Sequence, residues 1–445
     1  MKLAILGAGE SGVGTAILAQ KQGYDVFVSD MGNIKDRYKE QLDAHQIAWE
    51  EGQHTRERIL DATEVVKSPG IPDTAPLVQE LLAQGTPILS ELEFGRRYSH
   101  GKTICITGSN GKTTTTSLIY YIMQQQGVDV GLAGNIGRSY ARQVAEEDHD
   151  WYVLEISSFQ LDNMFDFKAD IAVLMNITPD HLDRYTFPTL NQNSAMQNYT
   201  DSKMRIIQNQ TENERFVFWN EDEHINEELW KRAKGYRPQP TPTSRPVNDG
   251  QPTLCPFEDS DFERLGLTFS QMGQHNKRNA LAAYFATKQA GCDEKIVRRC
   301  LETFPGVEHR LERVAEKAGV LYINDSKATN VDACAVALKA MDRPTVLIVG
   351  GKDKGNDYST IESLVKEKCS ALVYLGADYT TLHAAFDKLR LPVADTHSMP
   401  DCVAECVRLA HEGDTVLLSP CCASFDLFKN MEDRGEQFKE CVKAL

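Results

Sequence analysis

The stretch KTICITGSNGKTTTTSLIYYIMQQQG, residues 102–127, narrows the possible folds more than any other part of the chain. An apolar, β-branched run passes into a glycine turn and then into a long helix-forming segment, which reads as strand, loop, helix. The turn is Gly108-Ser109-Asn110-Gly111-Lys112-Thr113. Small residues at such a turn let backbone N–H groups converge on phosphate oxygens at a helix N-terminus. Lys112 is placed to reach the β and γ phosphates, and the hydroxyl of Thr113 is placed for Mg²⁺. Ile106 stands where the usual phosphate loop has its first glycine. A nucleoside triphosphate is therefore the expected ligand of this segment, and a mainly parallel α/β sheet its expected setting.

The flanking sequence repeats the strand–helix alternation. Before it, KLAILG, DVFVSD and TEVVKSPG read as strands separated by helical segments. After it come DWYVLEISSFQ and ADIAVLMNITPDH, two buried strands ending in polar residues, and the alanine-rich helix GQHNKRNALAAYFATKQAG. The Pro- and Thr-rich stretch around 236–260 reads as a surface excursion inside this block. GVLYINDS, PTVLIVGG, SALVYLGAD and DTVLLSP form a second doubly wound pattern. The expected fold class is α/β with three domains: a Rossmann-like domain over 1–97, a central phosphate-loop domain over 98–306 and a second Rossmann-like domain over 307–445.

Near the N-terminus, Gly7-Ala8-Gly9-Glu10-Ser11-Gly12 matches the dinucleotide fingerprint G-x-G-x-x-G, with Asp30 at the end of the next strand. Taken alone it suggests a nicotinamide or flavin enzyme. With a nucleotide already housed in the central block, the turn is free to bind another diphosphate, since a helix N-terminus stabilises any pyrophosphate. Glu10 puts negative charge beside that turn, an awkward feature for a standard dinucleotide.

Lys and Arg number 48 and Asp and Glu 64, a formal net charge of −16. Such a surface repels a phosphate backbone, so nucleic acid is not an expected partner. No apolar run is long enough to span a membrane, and MKLAILG is broken by glycine too soon for a signal peptide. The 11 cysteines are scattered without zinc-site spacing, so reduced thiols are expected, with Cys421 and Cys422 as small apolar fillers.

Glu155 ends YVLE, and His181 follows NITPD at the end of another strand. Beside Lys112 and Thr113 they make a plausible mixed oxygen and imidazole set for Mg²⁺ on a bound triphosphate. In chain order, TGSNGKTT, GNIG, LEISSFQL, NITPDHLDR, GQHNKRNA, EHRLE, NDSKATN and SPCCASFDLFKNMEDRGEQF resemble the Mur ligase family along nearly the whole chain. These ligases add amino acids to the UDP-linked muramoyl precursor of peptidoglycan.

The resemblance implies that Gly108, Ser109, Asn110, Gly111, Lys112, Thr113 and Thr114 hold ATP, with Asn276 and Asn279 on the adenine side. It implies that Arg310 meets the phosphates and Asp325 the ribose. Thr113, Glu155, His181 and a carbamylated Lys203 would hold two Mg²⁺ ions. Ser11, Asp30, Ser68 and Gly70 would bind the uridine diphosphate, and Asn135, Ser157 and Gln160 the muramoyl part. Lys327, Thr329, Ser424 and Phe425, with His181 and with Lys354 or the competing Lys352, would form a D-glutamate pocket. The implied reaction is ATP-dependent ligation of D-glutamate to UDP-N-acetylmuramoyl-L-alanine through an acyl phosphate, with domain closure bringing Arg310, Asp325 and Lys327 onto the nucleotide. The implied enzyme is a cytoplasmic monomer. Other Mur ligases, a folylpolyglutamate-synthase-like amide ligase, a redox enzyme using the first fingerprint and a nonenzymatic nucleotide sensor remain the alternatives.

Overall fold

The structure, a computed structural model, describes residues 1–186, 194–235, 250–353 and 355–445. The first sheet contains β1 (Lys2–Leu6), β2 (Asp25–Asp30), β3 (Ala48–Glu51), β4 (Glu64–Lys67) and β5 (Ile88–Leu89), all parallel in the order β3-β2-β1-β4-β5. The second contains β6 (Lys102–Thr107), β7 (Val130–Gly134), β8 (Trp151–Glu155), β9 (Ile171–Leu174), β10 (Arg215–Trp219) and β11 (Thr253–Phe257). It too is parallel, in the order β11-β10-β9-β6-β8-β7. The third contains β12 (Glu312–Lys317), β13 (Val320–Asn324), β14 (Thr345–Gly350), β15 (Cys369–Leu375), β16 (Val393–Thr396) and β17 (Thr415–Cys421), in the order β12-β13-β17-β14-β15-β16.

The central strands are almost continuous runs of Val, Ile, Leu and Cys because helices cover both faces of a parallel sheet. In β6 every residue after Lys102 is buried, and β14 and β17 are buried throughout. The third sheet is mixed, since β12 pairs antiparallel with β13. Four of the six residues of its sequence ERVAEK are charged, as suits an edge strand with one wet face.

Contacts divide the chain into two compact units, 1–269 with 275–304, and 270–274 with 305–445. Within the first unit, one apolar cluster runs from Leu3 and Ile5 of β1 through Tyr140 and Leu154 to Phe216. Helix Glu10–Lys21 lies close against the turn before helix Tyr140–Glu146: a Cβ on Gly14 would come 1.9 Å from the Ser139 hydroxyl.

The expected surface excursion around 236–260 is corrected at its far end. Residues 236–249 lie outside the described residues, but Thr253–Phe257 is a strand paired with β10. It accepts Pro256 because it is an edge. Among the described residues no helix is long and apolar enough to cross a membrane. All eleven cysteines are free, and all but Cys255 and Cys441 are buried.

Candidate active site

Ligands of open parallel sheets sit beyond the carboxyl ends of strands where the strand order reverses. In the first sheet that point lies between β1 and β4. A cleft of about 810 Å³ opens there, lined by Gly7, Gly9, Asp30, Met31, His54, Ser68 and Gly70 among others. The Asp30 carboxylate accepts the Ala8 N–H at 2.7 Å and the Gly32 N–H at 2.8 Å, so it holds the glycine turn in shape. Gly7 has φ +96°, and a Cβ there would lie 2.3 Å from the Ser68 hydroxyl. Buried Lys67 donates to the Ile71 carbonyl at 2.7 Å and pairs with Asp73 at 3.1 Å, pinning the opposite wall. Glu10 does not leave its charge free at the turn. Its carboxylate accepts the Ser139 N–H at 3.2 Å and faces the Tyr38 hydroxyl at 3.4 Å. Ser11 is not among the residues lining the cleft; its hydroxyl neighbours the buried Glu91 carboxyl.

In the second sheet the reversal lies between β6 and β9. The phosphate loop follows β6, and helix Lys112–Gln125 begins on its lysine. Gly111 is left-handed at φ +84°, and a Cβ there would lie 2.4 Å from Asn279 Oδ1. Only glycine fits that backbone and that approach without strain. Lys112 Nζ donates to the carbonyls of Gly108 and Ser109 at 2.7 and 2.9 Å. The Ser109 hydroxyl donates to the Thr178 carbonyl, accepts the Thr178 N–H, and lies 3.0 Å from the Tyr199 hydroxyl. Asn110 and Asn176 exchange backbone and side-chain hydrogen bonds at 2.9 and 3.1 Å. The loop is thus held by its neighbour after β9.

A second cavity, of about 290 Å³, is lined by Pro69, Gly70, Lys112, Asn135, Ser157, Ser158, Phe159, Asp180, His181, Arg184, Tyr199 and Lys203. Of the expected site residues, Gly70, Lys112, Asn135, Ser157, His181 and Lys203 therefore meet in one place. Gly70 also lines the larger cleft. Glu155, at the end of β8 beside Ile106 of β6, is buried. One of its oxygens takes the Asn135 amide at 2.8 Å, and the other is buried without a hydrogen-bond partner. Lys203 is buried too. Its Nζ donates to the Gly108 carbonyl at 2.9 Å and lies 4.7 Å from the Tyr199 ring centroid. Burial holds its pKa well below the ordinary lysine range, and nearby Lys112 lowers it further. His181 has a left-handed backbone, φ +51°, uncommon outside glycine, and its exposed side chain packs against Phe159.

Asn276 and Asn279 share the buried face of their helix and bond to each other at 3.0 Å. Gln160 stands apart from the cavity. It closes a capping box with Ser157, accepting the Ser157 N–H at 2.9 Å while its own N–H goes to the Ser157 hydroxyl.

The second unit carries the remaining expected residues: Arg310 just before β12, and the others after the carboxyl ends of β13, β14 and β17. The buried Asp325 carboxylate accepts the Ser419 hydroxyl at 2.9 Å and the Leu311 N–H at 3.2 Å, and burial pushes its pKa up to about 7. The Lys327 N–H goes to the His309 carbonyl. Arg310, Thr329 and Phe425 are exposed, and Ser424 is buried. Lys352 donates its N–H to the Ala423 carbonyl at 2.8 Å. Lys354 lies outside the described residues. Cys421 and Cys422 are buried, and the Cys422 thiol sits 3.1 Å from the Tyr358 hydroxyl. Arg434, wholly buried, donates to the Ser326 hydroxyl and carbonyl, both at 2.9 Å, and to the Cys422 carbonyl at 3.1 Å. It ties the loop after β13 to the loop after β17.

Sequence reasoning gave no role to Asn176, Thr178, Arg184, Tyr199 or Arg434, although all but Tyr199 lie inside the quoted motifs NITPDHLDR and SPCCASFDLFKNMEDRGEQF. Ser157-Ser158-Phe159-Gln160 did carry a signal, the S-x-x-Q pattern of a capping box.

The family model described as Mur ligase middle domain matches residues 106–287, Mur ligase, glutamate ligase domain matches 309–422, and MurD N-terminal domain matches 2–76. A UDP-N-acetylmuramoylalanine--D-glutamate ligase of Bacteroides fragilis is 57% identical over 100% of both chains. One from Porphyromonas gingivalis is 47% identical over 100% of this chain and 98% of its own. Among solved structures, UDP-N-acetylmuramate-alanine ligase of Thermotoga maritima superposes with a TM-score of 0.56 at 18% identity, covering 100% of this chain and 99% of the other. The MurF ligase of the same organism in complex with ADP does so with 0.56 at 14%, covering 94% and 95%. At those identities the two structures speak for the fold alone. The full-length relatives speak for more, and the chain belongs to the Mur ligase family.

Proposed function

We propose that this chain joins D-glutamate to UDP-N-acetylmuramoyl-L-alanine, with ATP converted to ADP and phosphate. The observation that carries the reading is the wall shared by the two cavities: Gly70 lines both the cleft at the Gly7 turn and the cavity that holds Lys112. An acceptor with its nucleotide in the cleft has its far end led past Gly70 to the phosphate loop. Full-length relatives carrying the D-glutamate ligase name support the choice of substrates.

A carboxylate is a poor electrophile. In the proposed sequence an oxygen of the L-alanyl carboxylate attacks the γ-phosphorus, the bond to the ADP oxygen breaks, and an acyl phosphate forms. The D-glutamate amine then attacks the acyl carbon, and the tetrahedral intermediate expels phosphate to leave the amide. Lys112 offsets charge on the phosphoryl oxygens during the first step. The residues present fit Mg²⁺: Glu155 has a buried oxygen without a hydrogen-bond partner, and its other oxygen takes the amide of Asn135, which lines the cavity with His181 and Lys203. Thr113, Glu155, His181 and a carbamylated Lys203 would hold two ions, which when bound neutralise phosphate charge. An unmodified Lys203 ammonium is poorly accommodated in its buried site, whereas a neutral amine there is the form that takes up CO₂. In the second unit, Arg310 and Asp325 are assigned to the nucleotide, and Lys327, Thr329, Ser424, Phe425 and Lys352 or Lys354 to D-glutamate. The partition into domains 1–97, 98–306 and 307–445, a cytoplasmic location and a monomeric state are part of the same reading.

Phosphate release tests it. The purified chain with ATP, Mg²⁺, the UDP-linked acceptor and D-glutamate is expected to release phosphate, and Lys112→Ala to release none. Undiminished release by Lys112→Ala would remove the phosphate-loop assignment.

A further inference from the structure

Arg184 has no part in the assignment above, yet it lines the smaller cavity. It sits on a single 3-10 turn, Leu182–Tyr185, that begins directly after His181. Tyr185 anchors that turn, its buried hydroxyl 3.0 Å from the Asp162 carboxylate. The Arg184 guanidinium carbon lies 4.1 Å from the centre of the Phe159 ring, and one nitrogen approaches the Pro69 carbonyl at 3.5 Å. Among the described residues no carboxylate pairs with it. A guanidinium stacked on a phenyl ring loses little freedom when it binds, and its planar fork of N–H donors matches a carboxylate or phosphate edge.

The surroundings narrow the choice of oxyanion. Lys112 and Arg184 bring positive charge to this cavity, and Asp180 is the single carboxylate among its lining side chains, so an anion is accommodated beside Arg184. A triphosphate has the phosphate loop. The acceptor's diphosphate has the Gly7–Gly9 turn at the helix N-terminus in the other cleft. The carboxylates of D-glutamate are assigned to Lys327 and its neighbours in the second unit, and the anion that remains is the acceptor's terminal carboxylate, which has to pass the Pro69–Gly70 seam, where Arg184 stands, to reach Lys112.

We propose that Arg184 is a substrate-positioning residue that grips the terminal carboxylate of the UDP-linked acceptor and makes the site select an acid over its neutral analogues. The inference rests on the proposed function. It predicts a role at the carboxylate only, before the phosphoryl group is transferred.

The test measures binding of three probes by titration calorimetry: UDP-N-acetylmuramoyl-L-alanine, its terminal carboxamide, and UDP. Wild type is expected to bind the acid at least about tenfold more tightly than the amide, a free-energy difference of about 1.4 kcal/mol. Arg184→Met is expected to lose that preference, with affinities for the amide, UDP and ATP unchanged, and Arg184→Lys to fall between. In turnover, Arg184→Met should raise the acceptor KM and leave the ATP KM alone. An equal loss for acid, amide and UDP would assign Arg184 to the diphosphate and overturn the proposal, as would an unchanged preference in Arg184→Met. Unchanged ATP affinity reports that the variant is folded; where it falls, Arg184→Lys and Arg184→Gln are read in its place. If wild type binds none of the UDP-linked probes, the proposed function falls with this inference. If wild type prefers the acid and the variants do too, only this inference falls.

Discussion

Replacing Asp325 with Asn should make the second unit more stable, and increasingly so as pH rises. The Asp325 carboxyl is buried, and that burial pushes its pKa up to about 7 against the pull of the Ser419 hydroxyl, the Leu311 N–H and Arg310. In the unfolded chain the same group titrates near 3.9. Between these values the folded form holds a proton that the unfolded form has released. The unfolded state therefore binds fewer protons, and the folded state loses stability as pH rises from about 4 to about 7. Three units at about 1.4 kcal/mol each put the full cost near 4 kcal/mol, and the part that falls between pH 5 and pH 8 is about 2–3 kcal/mol. Asn stays neutral and escapes this cost. It keeps an acceptor for the Leu311 N–H and gives up about 1 kcal/mol at Ser419, whose hydroxyl then has no anion to donate to. The readout is amide hydrogen exchange in peptides spanning Val320–Lys327 and Thr415–Cys421, compared between variant and wild type at the same pH. The ratio of protection is expected to rise by roughly 30- to 150-fold from pH 5 to pH 8. A ratio that stays flat would mean that Asp325 is already ionised in the fold at pH 5, and the electrostatic reasoning would fail. Turnover in Asp325→Asn should fall in any case, because its proposed ribose contact changes.

Gly111→Ala places a Cβ 2.4 Å from Asn279 Oδ1 on a backbone at φ +84°; it should cost about 1–3 kcal/mol in denaturant unfolding and weaken ATP binding at least about tenfold. Arg434→Met leaves the Ser326 and Cys422 carbonyls and the Ser326 hydroxyl without their buried donor; a loss of about 3 kcal/mol is expected in urea unfolding, with a raised KM for D-glutamate and little change for ATP. Stripping CO₂ from the buffer should lower turnover several-fold and added bicarbonate should restore it, if Lys203 works as a carbamate; turnover indifferent to CO₂ would leave Lys203 an ordinary amine.

The parts of this molecule that were legible beforehand are those in which a local constraint and the chemistry coincide. Gly108, Gly111 and Lys112 announce a phosphate loop because few other reasons place two glycines and a lysine between a buried strand and a helix. The buried strands β1, β6, β14 and β17 showed as apolar runs. The strands that escaped notice are β3, β5, β7, β10, β11, β12 and β16; all but β10 lie at a sheet edge, and AWEE or ERVAEK have no continuous apolar run to reveal them, whereas RFVFW of β10 is an interior apolar run that the reading passed over. The second limit is distance along the chain. Tyr199 supports Ser109 from 90 residues away, and Arg434 reaches Ser326 from 108. Neither side chain is unusual for its own helix, so only the fold discloses the partnership. Glu10 shows the same limit from the other side. Its charge looked hostile to a diphosphate, and the structure commits it to the Ser139 N–H.

The most direct measurement is phosphate release with ATP, Mg²⁺ and UDP-N-acetylmuramoyl-L-alanine, comparing D-glutamate with L-glutamate, L-alanine and a diamino acid. The account predicts release stimulated by D-glutamate alone, with a product heavier than the acceptor by one glutamyl residue. Release driven equally by L-glutamate or by another amino acid, or no release with D-glutamate, would contradict it.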